Sequence, residues 1–232
     1  MTLWVQNLLD GVTRANPDSS LESSGATASD AIIDLTNSAF PLRWRSPIEW
    51  AHHAIKDLPA FMIDHAACER KVSATCMTFV VKYPDRPEFV EAMIQVAIEE
   101  MEHFQQVFRI LRSRNLTLGP DTKTEYVNRF LQLNRPSPED RFLDRMLCFG
   151  IIEARGCERF ALIGEALARE NREPELSAFY KDLAREEAKH FGIFLRYAKT
   201  YFPSPVVEAR LQELLDQESL IIKELPWRHA LH

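Results

Sequence analysis

The sequence contains the pattern Glu-x-x-His twice, at Glu100 and His103 and again at Glu187 and His190. Residues three apart on a helix lie on one face, so each pair can offer a carboxylate and an imidazole to a single point. A single pattern of this kind is common by chance and often marks only a solvated helix face. Its duplication favours a metal site that the two segments build together.

Each pattern is preceded, about thirty residues earlier, by a glutamate in a similar tetrapeptide. Ala67-Cys68-Glu69-Arg70 precedes the first pattern, and Gly156-Cys157-Glu158-Arg159 precedes the second. Four glutamates and two histidines from four antiparallel helices form the ligand set of dinuclear iron or manganese sites in helical bundles. The sequence predicts one such site, with the ligands Glu69, Glu100, His103, Glu158, Glu187 and His190.

A second glutamate, Glu153, lies five residues before Glu158 and competes with it. Five residues rotate a helix by about 500°, so the two side chains point about 140° apart and cannot both face the metals squarely. Glu158 lies about as far before the following turn as Glu187 lies after it, whereas Glu153 is about one helical turn too far. This comparison favours Glu158. Glu153 and Asp64, the equivalent residue before Glu69, remain as acids beside the ligands or as ion-pair partners of nearby arginines.

Composition limits the class of protein. The chain has 232 residues, a formal net charge of −6 and a sequence pI of about 5.7, which argues against a general nucleic-acid-coating protein but allows a local basic patch. We find no cationic leader and no apolar run long enough to span a membrane. The four cysteines form no Cys-x-x-Cys pair, which predicts buried, reduced thiols. We expect a cytoplasmic protein that is a monomer or a small homo-oligomer.

Helical periodicity and proline-marked turns predict an all-α protein. Residues 1–40 are rich in turn formers and predict a loosely ordered N-terminal arm, followed by one helical-bundle domain over residues 41–232. Ser46 is expected to cap a short helix. Bundle helices are expected over about 59–82, 87–114, 138–169 and 174–201, with a crossover helix over 124–133 and a peripheral helix over 205–224. Two hairpins joined by a crossover are ferritin-like connectivity.

Four blocks of the sequence, in order, resemble the MiaE family of tRNA hydroxylases. They are Ile63 to Glu69, Glu99 to Phe104, Ile152 to Phe160, and Phe179-Tyr180 followed by Glu186 to Phe191, and the resemblance covers about residues 42–230. That family is ferritin-like and uses a non-haem di-iron centre, O2 and external electrons. It hydroxylates the isopentenyl group of 2-methylthio-isopentenyl-adenosine beside the tRNA anticodon. The resemblance implies that the six predicted ligands hold two iron ions, and that tRNA and an electron-transfer protein are partners.

A tRNA substrate requires contacts to phosphate groups. Six basic residues could form a rim that supplies them, namely Arg109, Arg112, Arg114, Lys123, Arg129 and Arg135. The alternative is that they are ordinary solvated charges. A competing function on the same ligands is iron handling, peroxide reduction or another di-iron oxidation, and manganese is chemically admissible. No motif identifies the electron donor, the product stereochemistry or a requirement for the methylthio group.

Overall fold

The computed structural model describes residues 41–120 and 124–232, so the predicted arm over residues 1–40 lies outside the described part of the chain. The described residues form helices and no strand. A 3-10 turn, Ile55–Asp57, joins the first two helices. The helices are α1 (Ile48–Ala54), α2 (Leu58–Lys82), α3 (Pro87–Ser113), α4 (Glu125–Leu131), α5 (Pro138–Arg169), α6 (Pro174–Tyr201) and α7 (Ser204–Glu224).

Two long helical hairpins form the bundle. The most extensive contacts are between α2 and α3 and between α5 and α6, while α4 crosses between the hairpins and α7 packs outside on α4, α5 and α6. Proline occupies the first turn of α3, α5 and α6, where its missing N–H leaves no bond unmade. The predicted all-α, ferritin-like bundle with a crossover and peripheral helices is confirmed.

The start of α1 differs from the prediction. Pro47, not Ser46, is the N-cap residue, and no side chain caps the helix. The Ser46 hydroxyl donates to Oε2 of Glu158 at 2.9 Å, and its backbone N–H donates to Oε1 of the same carboxylate at 2.9 Å. A buried carboxylate requires such donors, so this long-range contact replaces the local cap.

The core around the bundle helices is rich in aromatic side chains. Phe79 packs edge-to-face on Phe89 and on Phe149, at centroid distances of 5.5 and 5.6 Å. All four cysteines are free; Cys68 is partly exposed and the other three are buried, in line with the prediction of reduced thiols. No helix in the described ranges is both long and apolar enough to cross a membrane.

Candidate metal centre

Six buried side chains from the four long helices converge inside the bundle. They are Glu69 on α2, Glu100 and His103 on α3, Glu153 on α5, and Glu187 and His190 on α6, and each residue is at most 6% exposed. Their ligand atoms form two groups. Within each group they lie within 4.8 Å of one another, and Glu100 and Glu187 belong to both groups. Glu69 and His103 complete one group, and Glu153 and His190 complete the other.

This arrangement matches the donor pattern of a dinuclear site. Two glutamates, Glu100 and Glu187, belong to both groups and would serve both ions. Each ion would also have one glutamate of its own, which we call the terminal glutamates (Glu69 and Glu153), and one histidine. Carboxylates and imidazoles suit iron or manganese better than a softer, thiolate-binding ion. The cluster is therefore compatible with a di-iron centre.

The structure brings together five of the six predicted ligands and replaces Glu158 by Glu153. Glu158 accepts two hydrogen bonds from Ser46 and one from Arg155, whose Nη1 lies 2.5 Å from its Oε2. Arg155 also donates to both carboxylate oxygens of Glu218, at 2.9 and 3.0 Å. Glu158 thus belongs to a buried ion-pair network on the outer side of α5, and the choice of Glu158 as a ligand is corrected.

Contacts along the second hairpin explain why counting residues from the turn failed. The Cys157 thiol donates to the carbonyl oxygen of Ala184 at 3.0 Å, and Gly150 packs against Phe194. These contacts place Glu187 opposite the part of α5 that lies between Glu153 and Glu158. The height along the bundle therefore does not show which of the two glutamates is the ligand. The direction in which each side chain leaves the helix distinguishes the two, and the side chain of Glu153 points towards the other ligands.

Four of the inward-facing polar atoms make no hydrogen bond with a described residue. Nδ1 of His103 lies 2.9 Å from Oε1 of Glu187, yet neither atom makes a hydrogen bond of acceptable geometry with a described residue. Oε1 of Glu100 lies 2.8 Å from Nδ1 of His190, but like Oε1 of Glu153 it makes no hydrogen bond of acceptable geometry with a described residue. Buried polar atoms are normally paired, so unpaired atoms aimed at one region fit a site built for cations.

The outer nitrogen of each histidine contacts a glutamate of the opposite motif. Nε2 of His103 lies 3.0 Å from Oε2 of Glu186, and Nε2 of His190 lies 3.0 Å from Oε2 of Glu99. Metal-binding histidines commonly donate their second N–H to a carboxylate, which fixes the tautomer and the ring orientation. The sequence alone gave Glu99 and Glu186 no such role, because the contacts join different helices.

The ionisable groups of the cluster shift one another's pKa values. Burial, followed by repulsion from Glu100 and Glu187, raises the pKa of both terminal glutamates. Burial would lower the pKa of the histidines, but interactions with Glu100 and Glu187 outweigh it and raise the pKa of His103 to about 10 and of His190 to about 12. The carboxylates thus attract positive charge, which metal ions would supply in place of protons.

A third histidine, His65, contacts the candidate ligand Glu69. Burial lowers the pKa of His65 to about 3, so its ring is neutral at pH 7. Its Nε2 lies 2.5 Å from Oε1 of Glu69, and its Nδ1 lies 3.3 Å from the Tyr180 hydroxyl. His65 thus orients a terminal glutamate and belongs to neither ligand group. Its position four residues before Glu69 is a helical spacing that could have signalled this contact.

Other acidic and basic residues near the site differ from the sequence expectations. Asp64 accepts a hydrogen bond from the backbone N–H of Leu231 at 2.8 Å, a contact that the sequence did not suggest. In the predicted basic rim, Arg114, Arg129 and Arg135 pair with the carboxylates of Glu173, Glu224 and Asp144, and Arg109 donates to Gln105. Lys123 lies outside the described residues. Most of the rim is therefore already engaged.

Comparison with known proteins adds three findings. A family model described as tRNA-(MS[2]IO[6]A)-hydroxylase (MiaE) matches residues 34–232. The tRNA 2-(methylsulfanyl)-N(6)-isopentenyladenosine(37) hydroxylase of Pseudomonas putida is 31% identical, over 67% of this chain and 74% of the relative. The protein of the same name from Salmonella typhimurium is 26% identical, over 62% of this chain and 69% of the relative.

One solved structure is similar in fold and in sequence. It is described as protein 43 with aldehyde deformylating oxygenase activity from Synechococcus. The TM-score is 0.76 at 31% identity, and the match covers 82% of this chain and 94% of the other. The helical bundle is therefore shared over nearly the whole of that protein.

Proposed function

Because the chain belongs to the MiaE family, we propose that it is a tRNA-modifying monooxygenase that hydroxylates the isopentenyl group of 2-methylthio-isopentenyl-adenosine next to the anticodon. The observation that carries the proposal is the pair of buried ligand groups that share Glu100 and Glu187. A site for two adjacent metal ions is one of the arrangements that can activate O2 for attack on a C–H bond. Scaffolding alone gives no reason to bury so many unpaired carboxylate atoms.

The six residues would hold two iron ions. Glu69 and His103 would bind one ion, Glu153 and His190 would bind the other, and the two shared glutamates would bind both. Iron held there would supply the activation of O2 that inserts one oxygen atom into a C–H bond, while the other is released as water with two electrons from an external donor and two protons from solvent.

The chain itself supplies exclusion of water and fixed ligand orientation. The side chains of all six residues are buried, and the outer glutamates hold both imidazoles with Nδ1 directed inward. Neutral His65 holds Glu69 through Nε2 and is itself held by Tyr180. No amino-acid base is needed, because the hydrogen that is replaced is on carbon and is not acidic.

The test is mass spectrometry of nucleosides from isopentenylated tRNA after incubation with the iron-loaded protein, a chemical reductant and air. We expect one added oxygen on the prenylated adenosine. Glu100→Ala should abolish the product and lower the iron content, because Glu100 belongs to both ligand groups. Glu102→Ala is the matched control, since Glu102 is exposed on the same helix. Bound iron without product on tRNA would refute the proposal.

A second function is favoured by one observation, the similarity to the Synechococcus protein at 31% identity. On this alternative the same metal centre would act on an aldehyde and remove its formyl group. The two functions are separated by incubating the same iron-loaded sample with prenylated tRNA or with an aldehyde. Turnover of the aldehyde alone would favour the alternative, and turnover of tRNA alone would exclude it.

A further inference from the structure

An apolar cavity of about 390 Å³ lies between α2, α4 and α5. Its walls include Val72, Leu131 and Phe149, and its inner end includes Cys68 and Ile152. Cys68 and Ile152 directly precede the terminal glutamates Glu69 and Glu153 along the chain. The cavity therefore reaches the two helices at the level of the ligands. Its volume is within the range of small-molecule sites, about 300–1,000 Å³.

The cavity continues into a second one of about 490 Å³. The two share Thr75, Thr78, Leu131 and Phe149, so they form one groove. Along α2 the groove extends from Cys68 to Thr78, which is about 15 Å at the rise of an α-helix. A nucleotide that carries a prenyl substituent on its base extends over a comparable length.

The far end of the groove is cationic. It is lined by Arg141 and Arg145, and neither guanidinium forms an ion pair with a carboxylate of the described residues. Arg145 stacks over the ring of Phe79 at 4.6 Å, and Nε of Arg141 donates to the carbonyl oxygen of Arg135 at 3.3 Å. Two adjacent cations without an anion repel each other, and a bound anion would relieve that repulsion.

A buried acceptor lies beside these cations. Asn134 donates through Nδ2 to the carbonyl oxygen of Leu131 at 2.8 Å. Its Oδ1 is buried and has no partner among the described residues. The end of the groove thus offers guanidinium donors for a phosphate and an amide oxygen for a hydroxyl or N–H group. Both kinds of group occur in one ribonucleotide.

We propose that this groove binds the substrate nucleotide of a single-stranded RNA segment, with the prenyl group against Phe149 and Ile152 and a backbone phosphate on Arg141 and Arg145. The inference rests on the proposed function and deepens it by naming the residues that select a nucleotide in RNA. It replaces the rim predicted from sequence, most of which is engaged by other side chains. The apolar inner end presents the prenyl group to the metal centre, and the cationic end fixes the register of the RNA strand.

The experiment compares two substrates, a prenylated anticodon stem-loop and the free prenylated nucleoside, which has no phosphate. In the double variant Arg141→Gln/Arg145→Gln we expect kcat/KM for the stem-loop to fall about tenfold more than for the nucleoside. The slope of log affinity against log salt should become shallower by about one, because the contact to one phosphate is lost. Arg169→Gln/Arg172→Gln, which removes two charges at the distant α5–α6 turn, is the matched control and should behave as the wild type.

Three further variants keep the test informative if the double variant does not fold. Arg141→Gln alone changes an exposed side chain and should show part of the fall in kcat/KM for the stem-loop. Arg145→Lys should retain part of the stem-loop affinity that the double variant loses. Val72→Trp should fill the apolar cavity and lower kcat/KM for both substrates without changing the iron content.

The outcomes separate the groove from the proposed function. In one outcome, Arg141→Gln/Arg145→Gln keeps the wild-type stem-loop kinetics and salt dependence, and Arg109→Gln/Arg112→Gln loses them instead. That result would overturn the groove and leave the hydroxylase function standing. In another outcome, the wild type binds the stem-loop in a salt-dependent way but does not hydroxylate it, and Arg141→Gln/Arg145→Gln loses the binding. That result would support the groove as an RNA site and refute the hydroxylase function.

Discussion

Nε2 of His190 lies 3.0 Å from Oε2 of Glu99, the residue that precedes Glu100 on the opposite motif helix. His103 has the same relationship with Glu186, at 3.0 Å. Each Glu-x-x-His motif therefore provides inward-facing ligands and also the carboxylate that orients the histidine of the other motif. The two motifs depend on each other for their geometry, which neither hairpin could achieve alone.

Removing one of these outer carboxylates should weaken metal binding without abolishing it. We expect Glu99→Ala to lower the affinity for ferrous iron by about tenfold, because His190 loses the contact that fixes its tautomer and its ring. The loss of affinity is expected at the lower end of the range usual for such contacts, because the Glu99 side chain is 37% exposed and water can replace it in part. Anaerobic titration with ferrous iron measures the affinity, with Glu102→Ala as the control. Equal affinities in the two variants would contradict the orienting role.

Glu153 and Glu158 should give opposite results when each is changed to glutamine. Glu153→Gln is expected to reduce bound iron from two ions per chain towards one, because one group loses its terminal carboxylate. Glu158→Gln is expected to keep both ions but to lower the free energy of unfolding by about 3 kcal/mol, since the buried Arg155 loses a charged partner. Iron analysis and denaturant unfolding of both variants check this. Loss of iron in Glu158→Gln with full occupancy in Glu153→Gln would restore the original sequence-based choice.

The helix limits could be predicted from the sequence because they depend on local signals. Proline in the first turn of α3, α5 and α6 marks where each helix begins, whatever the rest of the chain does. The two Glu-x-x-His pairs were readable for the same reason, since three-residue spacing fixes their common face. The cap of α1 was missed because Ser46 makes a contact with a residue more than a hundred positions away.

The inward face of α5 could not be predicted from hydrophobic periodicity. Nearly every residue from Phe142 to Ala161 is buried, because α1, α4 and α7 cover the sides of α5 that do not face the bundle. A helix buried all round has no polar stripe to show its direction. The partners of Glu158 on that outer side, Ser46 and Arg155, become visible only in the folded chain.

Asp144 should make stability depend on pH in acid. Burial alone would raise the pKa of Asp144, but Arg135 and Arg210 each make two side-chain hydrogen bonds to its carboxylate and hold the pKa below its usual value. A lowered pKa means that the stabilisation is fully present above the unfolded pKa of about 3.9 and is lost as the pH falls through the folded value. We expect Asp144→Asn to cost about 3 kcal/mol at pH 7, and less as the pH falls below 4. Urea unfolding across this range gives the comparison, and a constant difference between variant and wild type would contradict it.

Two glycines of α5 should respond to alanine with opposite signs. A Cβ atom at Gly164 would lie 2.7 Å from Cγ of Lys181 and 3.0 Å from the carbonyl oxygen of Ser177, so α5 and α6 would have to separate. A Cβ atom at Gly156 would meet nothing within 4 Å. We expect Gly164→Ala to destabilise the protein by about 1–3 kcal/mol through overpacking. Gly156→Ala should stabilise it by about 0.5–1 kcal/mol, because alanine favours the helix and has less freedom to lose on folding.

Thermal and denaturant unfolding of both glycine variants measures these differences, and iron content shows whether the metal centre is preserved. Gly156→Ala should keep full iron content, since a Cβ atom there would meet nothing within 4 Å and would leave the ligands in place. Gly164→Ala lies about two turns from Cys157, whose thiol donates to Ala184, so separation of the helices there should spread towards the ligands and lower iron retention. Equal stability of the two variants would mean that α5 and α6 are not held at the close approach that directs Glu153 into the centre.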